Sequence, residues 1–336
     1  IMTRTKVVDA QREDHQWVIT TLDVNTNQQQ KFHAKQLVNA SGPWVQDVIV
    51  EHIKVPTKHK VRLVRGSHIV VPKLYDHEHP YIFQGHDGRI MFLLPFETDF
   101  TLVGTTDVDH GLDPLSAKCS NKEAEYICQF VNEYLNKSIS TQDIVWSFSG
   151  VRPLFDDGAG SASAATRDYV LELKDAQNAP LVNVYGGKIT TYRKLAEATM
   201  AKLDTQAAKH NWTAGVALPG GDLAVDGVPA LIQKLCSTYS YLDQKWAHRL
   251  ATTYGTETFA LLGQSKEALE LGQNFGSNLT ATEVHWLIDH EFAMTADDIL
   301  WRRTKLGLRL DEQQQQHLQQ WLDKQPKTIA SIYTNC

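Results

Sequence analysis

Cysteine is scarce and scattered in this chain. Cys119, Cys128, Cys236 and Cys336 are the four among 336 residues, and no two share the close spacing of a zinc or redox motif. A reducing compartment is the expectation. Long apolar runs are missing too: none approaches the roughly 20 residues that a helix needs to cross a bilayer. Ile1–Ala10 carries charges where a secretory signal would need an apolar stretch. Positive charge is not in excess, because 33 Lys and Arg against 39 Asp and Glu leave a net charge of -6. That balance argues against nucleic acid as the main partner, since phosphate backbones call for a basic surface. A small anionic ligand stays open, as it needs only two or three well-placed cations. Metal ligands do not cluster either. His77 and His79 flank Glu78, but Pro80 follows with no further ligand group, so the segment reads as a solvated loop and no metal is expected.

What is present is ordinary for a globular protein, with 42% hydrophobic and 21% charged residues. The length suffices for two or three domains. Thr3–Val8, Gln16–Leu22 and Lys31–Val38 read as strands, with Asn25-Thr26-Asn27 turning between the second and third. Pro43 suits the first position of a short helix running to Val50. Four strand-like runs follow, Val61–Pro72, Tyr81–Gln84, Arg89–Pro95 and Phe100–Thr106, which predict a mostly antiparallel sheet. Asn121–Leu135 reads as a helix, then Asp143–Val151, Tyr169–Leu173 and Leu181–Tyr185 as strands, and Thr190–Leu203 as a helix. Leu218-Pro219-Gly220-Gly221 marks a boundary. Beyond it, helical spacing of apolar residues predicts Val228–Tyr239, Gln244–Tyr254, Thr280–Glu291, Ala296–Lys305 and Glu312–Leu322. Thr295-Ala296-Asp297-Asp298 has capping-box spacing, with Asp in place of Glu.

Several residues carry chemistry in principle. Asn39-Ala40-Ser41-Gly42 leads from a strand into a helix, and small residues there let backbone approach a ligand, although such turns are common in α/β folds. Gly186-Gly187-Lys188 opens a helix whose free N–H groups near Thr190 and Thr191 favour negative charge; a glycine turn with a solvated lysine is the plainer reading. Arg152 sits among Phe148, Val151, Leu154 and Phe155, where an arginine needs an anionic partner. A phosphate monoester is one candidate, since the guanidinium fork binds two oxygens at once, and Asp156 or Asp157 within the chain is the other. Arg167 precedes Asp168-Tyr169 at a strand start and alone reads as a surface residue. His68 lies on a strand; a neutral imidazole suits proton abstraction, but one histidine among 14 more often holds structure. Gly104-Thr105-Thr106-Asp107 and Asp109 read as turn and capping residues.

Taken in order, several stretches together resemble the FAD-dependent glycerol-3-phosphate dehydrogenases of the wider D-amino-acid-oxidase-like flavoproteins. They are Leu37–Trp44, Arg65–Pro72, Val103–Asp107, Ser149–Leu154, Gly186–Ala196, Asp289–Glu291 and Trp301–Gly307. One departure is large. The family opens on a strand, a G-x-G-x-x-G turn and a helix that hold the ADP part of FAD. Nothing here matches that turn, which the resemblance would place before Ile1, as if the chain began in mid-domain. By itself the 336-residue chain is therefore expected to purify without bound flavin and without activity.

The resemblance implies an α/β plus α architecture: an incomplete FAD-binding Rossmann-like domain, an antiparallel substrate-binding sheet and a C-terminal helical domain. The expected division is residues 1–50 and 181–210 for FAD, 51–180 for the substrate sheet and 215–336 for the helices. It implies oxidation of sn-glycerol 3-phosphate to dihydroxyacetone phosphate, with electrons passing through FAD to quinone; an oxygen-using oxidase and a non-catalytic binding or assembly protein are the rivals. Ala40, Ser41, Gly42, Gly186, Gly187, Ile189 and Thr190 would meet the cofactor. Arg152, Arg167 and Lys188 would bind substrate, and His68 and Lys188 would act in catalysis. It further implies peripheral attachment on the cytoplasmic side of the inner membrane, or a cytoplasmic place, and leaves a homodimer open.

Overall fold

A computed structural model describes residues 1–111, 113–158, 166–175, 177–204 and 212–325. Cys336, and parts of the expected 181–210 and 215–336 divisions, lie outside the described residues. The chain divides into two compact units, Ile1–Thr213 and Ala214–Cys336.

The first unit opens on a three-stranded antiparallel sheet of β1 (Thr5–Glu13), β2 (Gln16–Asp23) and β3 (Gln29–Ala34). The reading of Lys31–Val38 as one strand needs correction. Backbone pairing with β2 stops at Ala34, and a separate short strand, β4 (Leu37–Asn39), joins a different sheet. Alternation of side chains runs through the junction, so only the change of tertiary partner marks the break. From β4 the chain enters Gly42–Trp44 as a 3-10 turn with Pro43 at its start, then α1 (Val45–Asp47) and a wider turn, Val48–Ile53. Buried Val45 and Ile49 pack there with Tyr185, while Ile53 joins Ala10, Trp17, Ile19 and Leu181.

The centre of this unit is a six-stranded antiparallel sheet. β5 (Val61–Pro72) lies between β10 (Trp146–Phe155) and β8 (Phe100–Gly104), followed by β7 (Ile90–Phe96) and the edge strand β6 (Tyr81–Gln84), and β9 (Val108–Asp109) pairs with the start of β5. The two faces differ. Ile69, Val71, Met91, Leu93 and Val103 point to one side and pack on Ile127, Phe130 and Val131 of α2 (Asn121–Asn132). α2 starts at a capping box in which Ser120 accepts from the Glu123 N–H and Glu123 accepts from the Ser120 N–H. The opposite face carries Gly66, His68, Gly104, Phe148 and Arg152 by the two-residue period of strands. β10 extends four residues past the expected end at Val151, so Arg152 lies within a strand rather than in a loop.

A third sheet orders β11 (Val170–Lys174), β12 (Leu181–Tyr185) and β4, with β12 and β4 parallel and Asn183 beside Asn39. β12 is buried along its whole length, as a strand covered on both faces requires. From its end the chain passes through Gly186–Lys188 into a 3-10 turn (Ile189–Thr191) and α3 (Tyr192–Leu203).

The second unit packs α4 (Val228–Thr238), α5 (Gln244–Tyr254), α6 (Thr258–Leu262), α7 (Ala281–Glu291) and α8 (Glu312–Lys324) around its own apolar core. A small hairpin of β13 (Asn274–Gly276) and β14 (Leu279–Thr280) lies between α6 and α7. Glu283 is buried but paired: Arg249 binds both its oxygens at 2.6 and 2.7 Å, and the Tyr254 hydroxyl donates at 2.8 Å. The Thr295–Asp298 box forms, each side chain accepting from the other's backbone N–H at 3.1 Å. The expected Ala296–Lys305 helix forms over 296–303, wound as the wider π-helix from Asp298 to Arg303.

Candidate active site

Two glycines shape the open face of the central sheet. A Cβ on Gly66 would lie 2.3 Å from both terminal nitrogens of Arg152, and one on Gly104 would lie 2.3 Å from the His68 ring. Each glycine thus vacates the volume that the Arg152 or His68 side chain fills, which is the meaning a glycine inside a strand often has. The His68 ring also stacks on Phe148, its opposite residue across the strand pair, at 5.1 Å and 10°.

The Arg152 guanidinium is held by the turn that follows β8. Its Nη1 donates to the Thr106 carbonyl at 3.3 Å and to Asp107 at 3.0 Å, and its Nη2 donates to the Thr105 hydroxyl at 3.0 Å. Among the described residues three of the five guanidinium N–H groups are occupied in this way, leaving Nε–H and one Nη2–H to meet oxygens of a phosphate or carboxylate. Asp107 also lies 3.7 Å from Arg167. One expectation is corrected here: among the described residues Arg152 pairs with Asp107 and not with Asp156 or Asp157. Asp107 lies in the turn after β8, as expected, and is in addition the shared counter-ion of two arginines. One carboxylate against two guanidinium groups leaves a net positive site.

His68 is neutral at physiological pH. Burial, aided by the positive charge of Arg152, depresses its pKa from 6.5 to about 4. Its Nδ1 is buried with no hydrogen-bond partner among the described residues, so Nε2 is the nitrogen able to meet a ligand. Burial and Arg167 likewise push the Arg152 pKa down, against the pull of Asp107.

Behind the sheet stands a residue that the sequence reading passed over. Glu123 is buried, accepts from the Ser67 and Thr106 hydroxyls at 2.8 Å each, accepts from Ser120, and pairs with Arg65 at 2.8 Å. Burial alone would raise its pKa, but these hydrogen bonds hold the carboxylate at about 2. The expected Asn121–Leu135 helix includes it, whereas its burial depends on partners from β5 and the turn after β8.

The turns expected to meet a cofactor leave the carboxyl ends of the adjacent parallel strands β4 and β12, where open α/β sheets bind ligands. Beneath the first, buried Asn39 donates to the Val45 carbonyl at 3.0 Å and to Asn183 at 3.2 Å, and it accepts from Ser41. Asn183 donates in turn to Glu172 at 3.0 Å. Ala40 is exposed, and Ser41 and Gly42 are half-buried. In the second turn Gly186 and Gly187 have φ of 72° and 102°, and a Cβ on Gly186 would lie 2.9 Å from the Asp168 carbonyl. The Arg167–Asp168 segment therefore meets both the Asp107 pair and the second turn. Lys188 precedes the 3-10 turn and is exposed, as is Thr190. Ile189 is 86% exposed, and Trp44 and Tyr192 also show apolar surface. No group of three metal-ligating side chains occurs among the described residues.

Comparison with known proteins decides the family. Residues 1–193 match the model of the FAD dependent oxidoreductases. The chain belongs to that family. Residues 211–324 match a second model, the C-terminal domain of alpha-glycerophosphate oxidase. The aerobic glycerol-3-phosphate dehydrogenase of Escherichia coli is 40% identical over 96% of this chain and 65% of that protein. Glycerol-3-phosphate dehydrogenase of Pseudomonas aeruginosa is 43% identical over 97% and 64%, and D-erythritol 1-phosphate dehydrogenase of Brucella abortus 40% over 96% and 65%. The chain thus spans about 65% of the length of these curated relatives. A crystal structure of glycerol-3-phosphate dehydrogenase from Bacillus halodurans with FAD shares the fold, with TM-score 0.77 over 96% of this chain and 68% of that one at 23% identity. The α/β plus α architecture agrees with that neighbour.

Proposed function

We propose that the protein carrying this chain oxidises a phosphorylated polyol, glycerol 3-phosphate first among them, with FAD as hydride acceptor. The observation that carries this reading is the pairing, on one sheet face, of an arginine fork with a free edge and a neutral imidazole. The residues at the strand ends fit a flavin: the small residues Ala40–Gly42, the left-handed Gly186 and Gly187, and the exposed apolar side chains of Trp44, Ile189 and Tyr192. Ala40, Ser41, Gly42, Gly186, Gly187, Ile189 and Thr190 would line its redox-active end, with the N–H groups at the start of the Ile189–Leu203 helical segment facing developing negative charge.

When bound, FAD would accept the hydride that leaves the carbinol carbon. Arg152 presents Nε and Nη2 to two phosphate oxygens, and Arg167 and Lys188 add positive charge around them. Phosphate anchoring positions the reacting hydroxyl, converting binding energy into orientation. His68 Nε2 takes the hydroxyl proton. A pKa of about 4 is low for that task, but a bound phosphate offsets the Arg152 charge that helps to depress it. The anionic substrate thereby makes its own base stronger.

Quinone as final acceptor rests on the relatives described as dehydrogenases, while the oxidase named for the C-terminal model favours oxygen. Substrate-dependent peroxide formation without added quinone would decide for the oxidase. D-erythritol 1-phosphate is a second substrate candidate, since a dehydrogenase for it is equally similar to this chain. We propose peripheral attachment to a membrane surface; no described helix is long and apolar enough to cross one. The sequence holds no G-x-G-x-x-G turn, and the 336-residue chain alone is expected to bind FAD weakly and not to turn over. Arg152→Lys tests the reading, and in the protein carrying this chain kcat/KM for glycerol 3-phosphate should fall about tenfold or more. Unchanged kinetics would remove Arg152 from the phosphate site.

A further inference from the structure

The two hydroxyl hydrogen bonds that end on one oxygen of Glu123 come from residues flanking the candidate site, one on β5 and one in the turn after β8. Ser67, between Gly66 and His68, donates its hydroxyl at 2.8 Å. Thr106 donates at 2.8 Å, and its own hydroxyl accepts the Ser67 N–H at 3.0 Å. The same Thr106 turns its carbonyl to Arg152 Nη1, and its neighbours Thr105 and Asp107 take the other two occupied guanidinium N–H groups. Among the described residues, the hydrogen bonds that fix the direction of the Arg152 fork therefore all belong to a three-residue turn pinned from behind by Glu123. The pin itself is rigid, being buried, ionised, tied to Arg65 and built into the first turn of α2.

Resting on the proposed phosphate-binding role of Arg152, we infer that Glu123, acting through the Thr106 hydroxyl, is a positioning residue for the phosphate-binding arginine. It touches neither substrate nor cofactor. It holds the 105–107 turn so that Nε and the free Nη2–H of Arg152 face outward together. Without the Thr106 hydroxyl the turn keeps its chain path but loses its anchor, and the fork can rotate about the long arginine side chain. The consequence falls on anion affinity rather than on the hydride step, because His68 is placed independently by Gly104 and Phe148.

The test uses the flavin-loaded protein carrying this chain and inorganic phosphate as probe. Thr106→Val keeps shape and removes the hydroxyl, Thr106→Ser restores it, and Arg152→Lys serves as reference. The expected result for Thr106→Val is a rise of about tenfold in KM for glycerol 3-phosphate, with a parallel rise in the inhibition constant of inorganic phosphate. The rate of flavin reduction at saturation should change less than about threefold, and Thr106→Ser should return both constants close to wild type. Should Thr106→Val leave both constants unchanged while Arg152→Lys raises them, the positioning role is wrong and the phosphate reading stands. Should Arg152→Lys also leave them unchanged, the phosphate reading fails and takes this inference with it. A Thr106→Val defect confined to the saturated rate, or one that serine does not rescue, would also overturn it.

Discussion

Gly66 and Gly104 bring no side chain to the site, yet its arrangement depends on what they lack. The clash created by Gly66→Ala falls on the far end of Arg152, a flexible group that can swing aside, and not on backbone. The variant should therefore keep nearly wild-type thermal stability while losing about tenfold in kcat/KM, the size expected for one charge-assisted hydrogen bond. A comparable loss in stability, with kinetics intact, would contradict the account. His68 yields a second prediction. If it is the base, His68→Asn should slow flavin reduction about a hundredfold or more in stopped flow. It should also change the pH dependence of stability. The folded pKa of about 4 lies below the unfolded 6.5, so the unfolded chain binds the extra proton in between. Stability from this group is complete above pH 6.5 and is lost as pH falls from 6.5 toward 4. Urea midpoints across that window should slope less in the asparagine variant than in the wild type.

At the scale of elements, Asn183 joins the β4 and β12 strand ends. It is fully buried, accepting from Asn39 and donating to Glu172. Asn183→Ala would leave polar partners unsatisfied and should cost about 1–3 kcal/mol, read from urea denaturation. It should also weaken flavin affinity, since Asn39 would no longer be held beneath the Ala40–Gly42 turn. A neutral result on both counts would mean that Asn39 is fixed by its other bonds. Local signals made much of this level legible. Val61–Pro72 and Leu181–Tyr185 were readable as strands from their β-branched content, and Thr295–Asp298 as a cap from spacing alone. Where the outcome depends on distant partners, the reading failed. The break between β3 and β4 is one such place, the pairing of Arg152 with Asp107 rather than Asp156 another, and the burial of Glu123 a third. Gly66 and Gly104 carried a usable signal, a glycine within a strand run, that was not used.

For the molecule as a whole, the second unit has its own core, with buried Leu235, Leu250, Val284, Leu287, Ile299 and Leu318 and the paired Glu283–Arg249. Local contacts of this kind predict that residues 214–336 expressed alone fold cooperatively, with a helical circular dichroism spectrum and a single thermal transition. A spectrum without helix would show that this core needs the rest of the protein. The first unit carries the candidate chemistry: an arginine fork, a neutral imidazole and small-residue turns at parallel strand ends. Together they support one central claim, that flavin reduction depends on the substrate's phosphate. The direct measurement is anaerobic stopped flow on the flavin-loaded protein carrying this chain, mixing it with glycerol 3-phosphate or with glycerol and following flavin absorbance. Rapid, saturable bleaching by glycerol 3-phosphate with little or none by glycerol is the predicted result. Equal bleaching by both, or none by glycerol 3-phosphate, would contradict it.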